Sequence, residues 1–105
     1  MIGPGTTDYT NKAQQRILDT LLVMFGHEID GLSSGQVAKL AGTTASAATR
    51  DLFNLTRAGM VERTTNGDRY RLTPLLGQKA LAILTNIERA GKRVEEARQR
   101  YTRIP

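Results

Sequence analysis

The sequence predicts a mainly α-helical fold with one small β-hairpin and a long last helix, and three observations carry that prediction. Glycines close three successive apolar-patterned segments, at Gly26, Gly42 and Gly59, where a chain leaving a helix takes left-handed dihedrals. Asn66-Gly67 separates two short segments, Met60 to Thr65 and Asp68 to Thr73, and that dipeptide is the strongest short hairpin-turn signal. From Leu76 to Tyr101, apolar residues recur in alternating steps of four and three, the seam of a helix that pairs along its length. Three helices, a hairpin and a fourth helix, in that order, make a winged helix-turn-helix with a long C-terminal helix.

Size and composition bound what such a chain can do. With 105 residues it holds one domain and an appended element at either end. A hydrophobic fraction of 39%, aromatics at 5% and no Trp leave aliphatic residues and Ala to fill one modest core. The lack of Cys excludes a disulfide framework and a Cys-based zinc site. Apolar runs such as Leu21 to Phe25 are far too short to span a bilayer. The first residues lack the basic start and apolar stretch of a signal peptide. A soluble, cytoplasmic, nucleoid-associated protein with no membrane partner is expected.

A net charge of +5 and a pI near 10.1 point to a polyanionic partner. The charge is unevenly placed. Residues 1–32 carry a net −2, residues 33–73 a net +3 and residues 74–105 a net +4, so the positive charge sits with the helix-turn-helix, the hairpin and the last helix.

Element by element, Met1 to Thr10 reads as a flexible arm, with Tyr9 as its one candidate anchor. A first helix begins at Thr10 or Asn11 and runs to about Phe25, with Ala13, Ile17, Leu18, Leu21, Leu22, Met24 and Phe25 as its apolar side. His27 to Leu32 connects, and its Ile29 could add a brief strand. Ser33 or Ser34 caps a second helix through about Ala41 that turns Val37, Ala38 and Leu40 inward. Thr44 caps a third helix, from Ala45 to about Ala58. A two-residue turn at Asn66-Gly67 sets Val61 opposite Leu72, Glu62 opposite Arg71, Arg63 opposite Tyr70 and Thr64 opposite Arg69. Pro74 suits the first turn of the fourth helix, capped by Thr73, which runs to about Tyr101. The domain limits are therefore 1–10 for the arm, 11–74 for the winged helix-turn-helix and 75–105 for the last helix.

In the central segment, Ala38 is small enough for two helices to cross closely, and Gly42 takes the turn. Ala48, Leu52 and Leu55 form the buried stripe of the third helix. Its opposite face then carries Ser46, Arg50, Phe53 and Arg57, flanked by Thr49 and Asn54. In a helix-turn-helix the N-terminal half of this helix enters the major groove, which makes Thr44, Ser46, Thr49 and Arg50 the leading candidates for DNA contact. Thr44 and Ser46 lie where helix N–H groups favour a phosphate. Arg50 has the fork geometry for a guanine edge or two phosphate oxygens, or it could pair with Asp51 or Asn54. Phe53, a large apolar residue on a solvent face, could touch thymine methyls or fold back on the wing. At the wing, Asn66 and Arg69 are the candidate contacts, Arg69 foremost, while Asp68 belongs to the turn.

These residues carry a family resemblance. Val37-Ala38, Gly42, Ser46, Arg50, Leu52, Leu55, the run Ala58 to Arg63 and Tyr70-Arg71-Leu72 resemble the N-terminal DNA-binding domain of IclR-type transcriptional regulators, over residues 33–73. MarR-type regulators share the scheme more distantly. The resemblance implies a homodimeric repressor or activator on a palindromic operator. Asp51 departs from it, since such domains usually carry an apolar residue there. The large effector-binding domain of IclR regulators has no counterpart in the residues that follow the wing, and no small-molecule effector is expected.

In the last helix Leu76, Ala80, Ile83, Ile87, Ala90, Val94, Ala97 and Tyr101 form the seam. Leu81 and Leu84 widen it in the first half, where packing on the first helix is expected. Ile83, Ile87, Ala90, Val94, Ala97 and Tyr101 are the candidate dimerisation residues, in a coiled coil, antiparallel by preference. The flanking Arg89, Lys92, Arg93, Glu95, Glu96, Arg98 and Arg100 make either a solvated face or a DNA-backbone contact.

No catalytic constellation is present. His27 stands alone, Glu95 and Glu96 face different directions, and neither Gly3-Pro4-Gly5 nor Asn66-Gly67 is followed by the GK[ST] of a phosphate loop. An enzyme is not expected, nor a cofactor or metal. The expected function is sequence-specific binding of double-stranded DNA to regulate transcription, with repression preferred. The alternatives are a nucleoid, replication or partition protein with low sequence preference, and a winged-helix protein-interaction module. The basic rather than apolar helix three and wing disfavour the last.

Overall fold

The structure is a computed structural model that describes residues 7–103. Most of the arm expected over 1–10 therefore lies outside the described residues. The elements are α1 (Lys12–Val23), α2 (Ser34–Ala41), α3 (Ala45–Arg57), β1 (Val61–Arg63), β2 (Tyr70–Leu72) and α4 (Pro74–Thr102). They form two compact units, Met1–Thr73 and Pro74–Pro105, and the first is a winged helix-turn-helix.

Asn11 caps α1, its side chain accepting from the Gln14 N–H at 3.0 Å. Thr20 and Met24 are buried, while Ile17 and Leu21 are half-buried. Leu18, Leu22 and Phe25, expected to face inward, are exposed. At about 100° per residue they form a second face, turned roughly 100° from the Ile17–Leu21–Met24 face that packs on α2 and α3. The apolar side of α1 is thus wider than its neighbours can cover.

Ser33 caps α2 through a capping box: the Gln36 N–H donates to Ser33 Oγ at 3.2 Å, and the Ser33 N–H donates to Gln36 Oε1 at 2.9 Å. Val37 and Ala38 are buried. Leu40, expected inward, is 52% exposed, because the face set by residues 37 and 38 continues at Ala41. Gly42 ends the helix at φ 67°, and the Thr43 N–H reaches back to the Ala38 carbonyl at 2.9 Å. That six-to-one bond satisfies an orphan carbonyl and needs left-handed backbone at Gly42. Thr44 then caps α3, accepting from the Ala47 N–H at 3.1 Å. The tight turn between α2 and α3 follows from these two local devices.

In the hairpin Val61 pairs with Leu72, Glu62 with Arg71 and Arg63 with Tyr70, the register read from the sequence. The turn differs. Asn66 does not take a positive φ, as a two-residue turn of the expected kind requires, and only Gly67 does, at 78°. Instead the Gly67 N–H closes on the Thr64 carbonyl at 2.8 Å and the Thr64 N–H on the Arg69 carbonyl at 2.9 Å. The result is a four-residue loop, which keeps the same register because it is symmetric about the same centre.

The expected strand at Ile29 is absent from that position: Ile29 is 85% exposed. Leu32 pairs instead with the outer edge of Tyr70, exchanging two backbone hydrogen bonds of 2.8 Å. Gly31 permits this approach, since it holds φ 73° and a Cβ there would lie 2.9 Å from the Tyr70 carbonyl oxygen. Met24, Leu32, Val37, Ala48, Leu52, Leu55, Val61 and Leu72 make the core between the three helices and the hairpin.

The second unit is α4, 29 residues and about 43 Å long. The Thr73 hydroxyl, expected to cap it, donates to the Gly59 carbonyl at 2.7 Å and ties the hairpin to the end of α3. No side chain of α4 is buried. Its apolar residues Leu81, Ile83, Leu84, Ile87, Val94 and Tyr101 are all exposed.

Candidate nucleic-acid interface

The outer face of α3 is assembled by what happens on its inner face. Ala47, Ala48, Asp51, Leu52 and Leu55 are buried, which fixes the rotation of the helix and leaves Ser46, Thr49, Arg50, Phe53, Asn54 and Arg57 exposed. Asp51 is the unusual member of the inner set, at 3% exposure. Arg16 of α1 grips it with both arms of its fork, Nε to Oδ2 and Nη2 to Oδ1, each at 2.8 Å. The Thr20 hydroxyl adds a third hydrogen bond, to Oδ2 at 3.2 Å. The carboxylate is thereby compensated, as a buried charge must be. The hydrogen bond to Asp51 also holds the Arg16 pKa above its ordinary value.

This clamp settles the charge of the outer face. Arg50 does not pair with its neighbour Asp51, whose carboxylate points the other way. Its Nη2 instead donates to Ser46 Oγ at 3.5 Å, and Asn54 Nδ2 donates to the Arg50 backbone carbonyl at 2.9 Å. Glu62, the acid of the first strand, is taken by Arg71 at 2.8 Å. Among the described residues Arg50 and Arg57 enter no ion pair. The face therefore combines cations with hydroxyl and amide groups, and the nearest acids are engaged elsewhere.

Two candidate residues carry local structural duties. Thr44 is the helix cap described above. The Thr49 hydroxyl donates to the Ala45 carbonyl at 2.9 Å, which turns its oxygen toward the first turn of α3. Phe53 stands 64% exposed and, with Thr49, Thr56, Arg63 and Tyr70, lines a shallow hollow between α3 and the hairpin.

At the wing the structure redistributes the expected roles. Asn66 Oδ1 accepts from the Thr64 hydroxyl at 2.7 Å, a contact within the loop. Arg69 does not extend from the tip: Nη1 donates to the Gly31 carbonyl at 3.1 Å and to Gln36 Oε1 at 3.3 Å, tying the wing to the start of α2. Arg63, which the sequence marked as the partner of Tyr70 and as the end of the run Ala58 to Arg63 but not as a contact, is exposed. Its guanidinium lies 5.1 Å from the Tyr70 ring centroid and donates to the Gly67 carbonyl at 3.0 Å. That stacking holds a cation beside the Phe53 hollow. Its signal in the sequence was the hairpin register, which sets Arg63 and Tyr70 on one face.

Among the described residues no three of His, Asp and Glu gather as a metal site would require, and no helix is long and apolar enough to cross a membrane. No protein-family model matches the chain, and no curated protein does. Solved structures do. A MepR variant from a multidrug-resistant S. aureus clinical isolate is 24% identical, with a TM-score of 0.52 over 79% of this chain and 62% of its own. A second S. aureus MepR variant is 24% identical, with a TM-score of 0.51 over 80% of this chain and 63% of its own. A MarR family transcription regulator gives 22% identity and a TM-score of 0.44, over 89% of this chain and 72% of its own. The chain thus spans a little over three fifths of the length of the two MepR structures. The two MepR likenesses establish the winged-helix fold, which fits the MarR-type scheme that the sequence resembled more distantly; the IclR-type resemblance is not confirmed.

Proposed function

We propose that the protein is a sequence-specific double-stranded DNA-binding regulator of transcription that acts as a homodimer on a palindromic operator, with repression by occlusion as its mode. The observation that carries this reading is the outer face of α3. Arg50 is presented there beside Ser46, Thr49 and Asn54, while Asp51 is withdrawn into the Arg16 clamp. An exposed arginine fork flanked by small polar groups on the second helix of a helix-turn-helix suits a major-groove edge. The MarR-type likeness of the fold supports the same role.

Around that face, Thr44 and Ser46 are placed for a phosphate near the start of α3. Arg57 stands near its end. Asn66 and Arg69 remain the proposed wing contacts, with Arg63 added, and Arg69 sets the wing's position as much as it touches DNA. Dimerisation through Ile83, Ile87, Ala90, Val94, Ala97 and Tyr101 is supported by a seam left exposed along α4, since a contiguous apolar stripe of that length signals an interface. The protein would work in the cytoplasm, without a cofactor, a small-molecule effector or catalytic activity of its own.

Selection from a random duplex pool tests the proposal. The expected result is enrichment of a two-fold symmetric site, bound at least about a thousandfold more tightly than the pool. Binding with a steep salt dependence but no enriched site would instead favour a nucleoid-type protein, and no binding at all would favour a protein-interaction module.

A further inference from the structure

The last third of α4 carries a row of cations that neither the seam nor the helix-turn-helix uses. At about 100° per residue, Arg89, Lys92, Arg93 and Arg100 fall on one face, and Arg103 continues its line just past the helix end. The seam residues Ile87, Ala90, Val94, Ala97 and Tyr101 lie roughly 120° around from it. A partner on the seam leaves Arg89, Lys92 and Arg103 open, while Arg93 and Arg100 flank it. The row spans about 21 Å from Arg89 to Arg103, at 1.5 Å per residue. Arg93, Arg100 and Arg103 line one shallow depression together with Glu96, Gln99 and the seam residue Ala97, so their side chains border a common surface.

The acids of this segment do little to cancel that charge. Glu95 lies off the row and is engaged by Arg98, at 3.1 Å from Nε and 2.9 Å from Nη2. That contact holds the Glu95 carboxyl below its ordinary pKa. Glu88 borders the row, one turn before Lys92, and Glu96 sits within it, so five cations face one acid in the row and one at its edge. Among the described residues none of Arg89, Lys92, Arg93, Arg100 and Arg103 forms an ion pair. Like charges gathered along one line in such excess repel one another, and an extended polyanion alongside relieves that repulsion.

We propose that this face of α4 is a second nucleic-acid contact, one that grips the sugar-phosphate backbone of duplex DNA without reading sequence; it rests on the reading of the protein as a DNA-binding regulator. Duplex DNA fits the row better than an anionic membrane does. A membrane-bound helix buries a broad apolar face flanked by its cations, and here the apolar side is a narrow seam with Ala90 and Ala97. The α3 face would supply specificity and the α4 face a salt-sensitive gain in affinity on any sequence.

The test compares full-length wild type with the triple variant Arg89→Gln/Arg93→Gln/Arg100→Gln and with the off-row control Arg98→Gln, after circular dichroism shows equal helicity and sedimentation equal oligomeric state. Binding to a selected and a random duplex of equal length is measured over a salt series. The expected result is that the triple variant lowers the slope of log K against log salt by about two to three. Its affinity for both duplexes falls tenfold or more at low salt, in equal proportion. The control leaves the slope within about half a unit. Wild type bound with an unchanged slope in the triple variant overturns the α4 contact while leaving the regulator reading intact. A loss in the control as large, per charge, as in the triple variant reduces the row to net charge and also overturns it. No binding of wild type to any duplex ends both readings. If wild type instead binds phosphatidylserine vesicles through these arginines while duplex binding is unchanged, the face is a membrane contact and not a DNA one.

Discussion

At Asp51 a carboxylate sits in the interior under two guanidinium hydrogen bonds and one hydroxyl, and every one of its partners comes from α1. Replacing it with Ala strips Arg16 and Thr20 of their shared acceptor, and breaking such a pair costs more than the pair contributes net. Asp51→Ala should lower the melting temperature by roughly 5–10 °C. The double variant Arg16→Met/Asp51→Leu should recover most of that loss, because an apolar pair of similar volume can replace a buried ion pair. A double variant no more stable than Asp51→Ala would show that the clamp contributes more than compensation of its own charge. Gly31 gives a second residue-scale test. Gly31→Ala forces a Cβ into left-handed backbone and to 2.9 Å from the Tyr70 carbonyl, so urea unfolding should show a loss of about 2 kcal/mol or more. Stability within about 0.5 kcal/mol of wild type would mean that the Leu32–Tyr70 bridge gives way easily.

The elements themselves were legible in the sequence because their boundaries are written in local chemistry. Asn11, Ser33 and Thr44 cap the three helices and Gly42 stops the second, and each acts within a few residues of where it stands. The hairpin register was legible because the Glu62–Arg71 and Val61–Leu72 pairs sort the two faces. What escaped depends on partners distant in sequence. Asp51 looked like a departure until Arg16, 35 positions away, supplied its counter-charge. The anchoring of Arg69 needs Gly31 and Gln36, 38 and 33 positions away. The exposure of Leu18, Leu22 and Leu40 likewise reflects which neighbours reach them, which a periodicity does not show. The candidate site was legible as a face, since the buried stripe of α3 fixes its opposite, and its wing portion less so. For α4 the element-scale prediction concerns the seam. Ile87→Lys/Val94→Lys, and a chain ending near Ile87, should sediment as monomers where the full chain sediments as a dimer. A full chain that is itself monomeric, or variants that remain dimeric, would remove the seam from the account.

For the molecule as a whole, specificity and affinity are assigned to different surfaces. The α3 face carries about four exposed polar or charged side chains able to meet base edges, too few to single out a site without a second copy. The proposed dimer through α4 would double that reading and impose two-fold symmetry on the site. The net charge of +5 adds a sequence-independent term that weakens with salt. Wing variants therefore behave differently from helix variants: Arg63→Ala should reduce binding to selected and random duplexes alike, by about threefold to tenfold at low salt, with the selected site unchanged.

The central claim is that α3 reads bases and that Arg50 is its principal reader. It is tested most directly by measuring Arg50→Ala and wild type against the selected site and a random duplex of the same length, at one fixed salt concentration. The ratio of the two affinities should fall by about tenfold to a hundredfold, from loss of about 1–3 kcal/mol of discrimination, while affinity for the random duplex falls much less. An equal loss on both duplexes, leaving the ratio at its wild-type value, would contradict it.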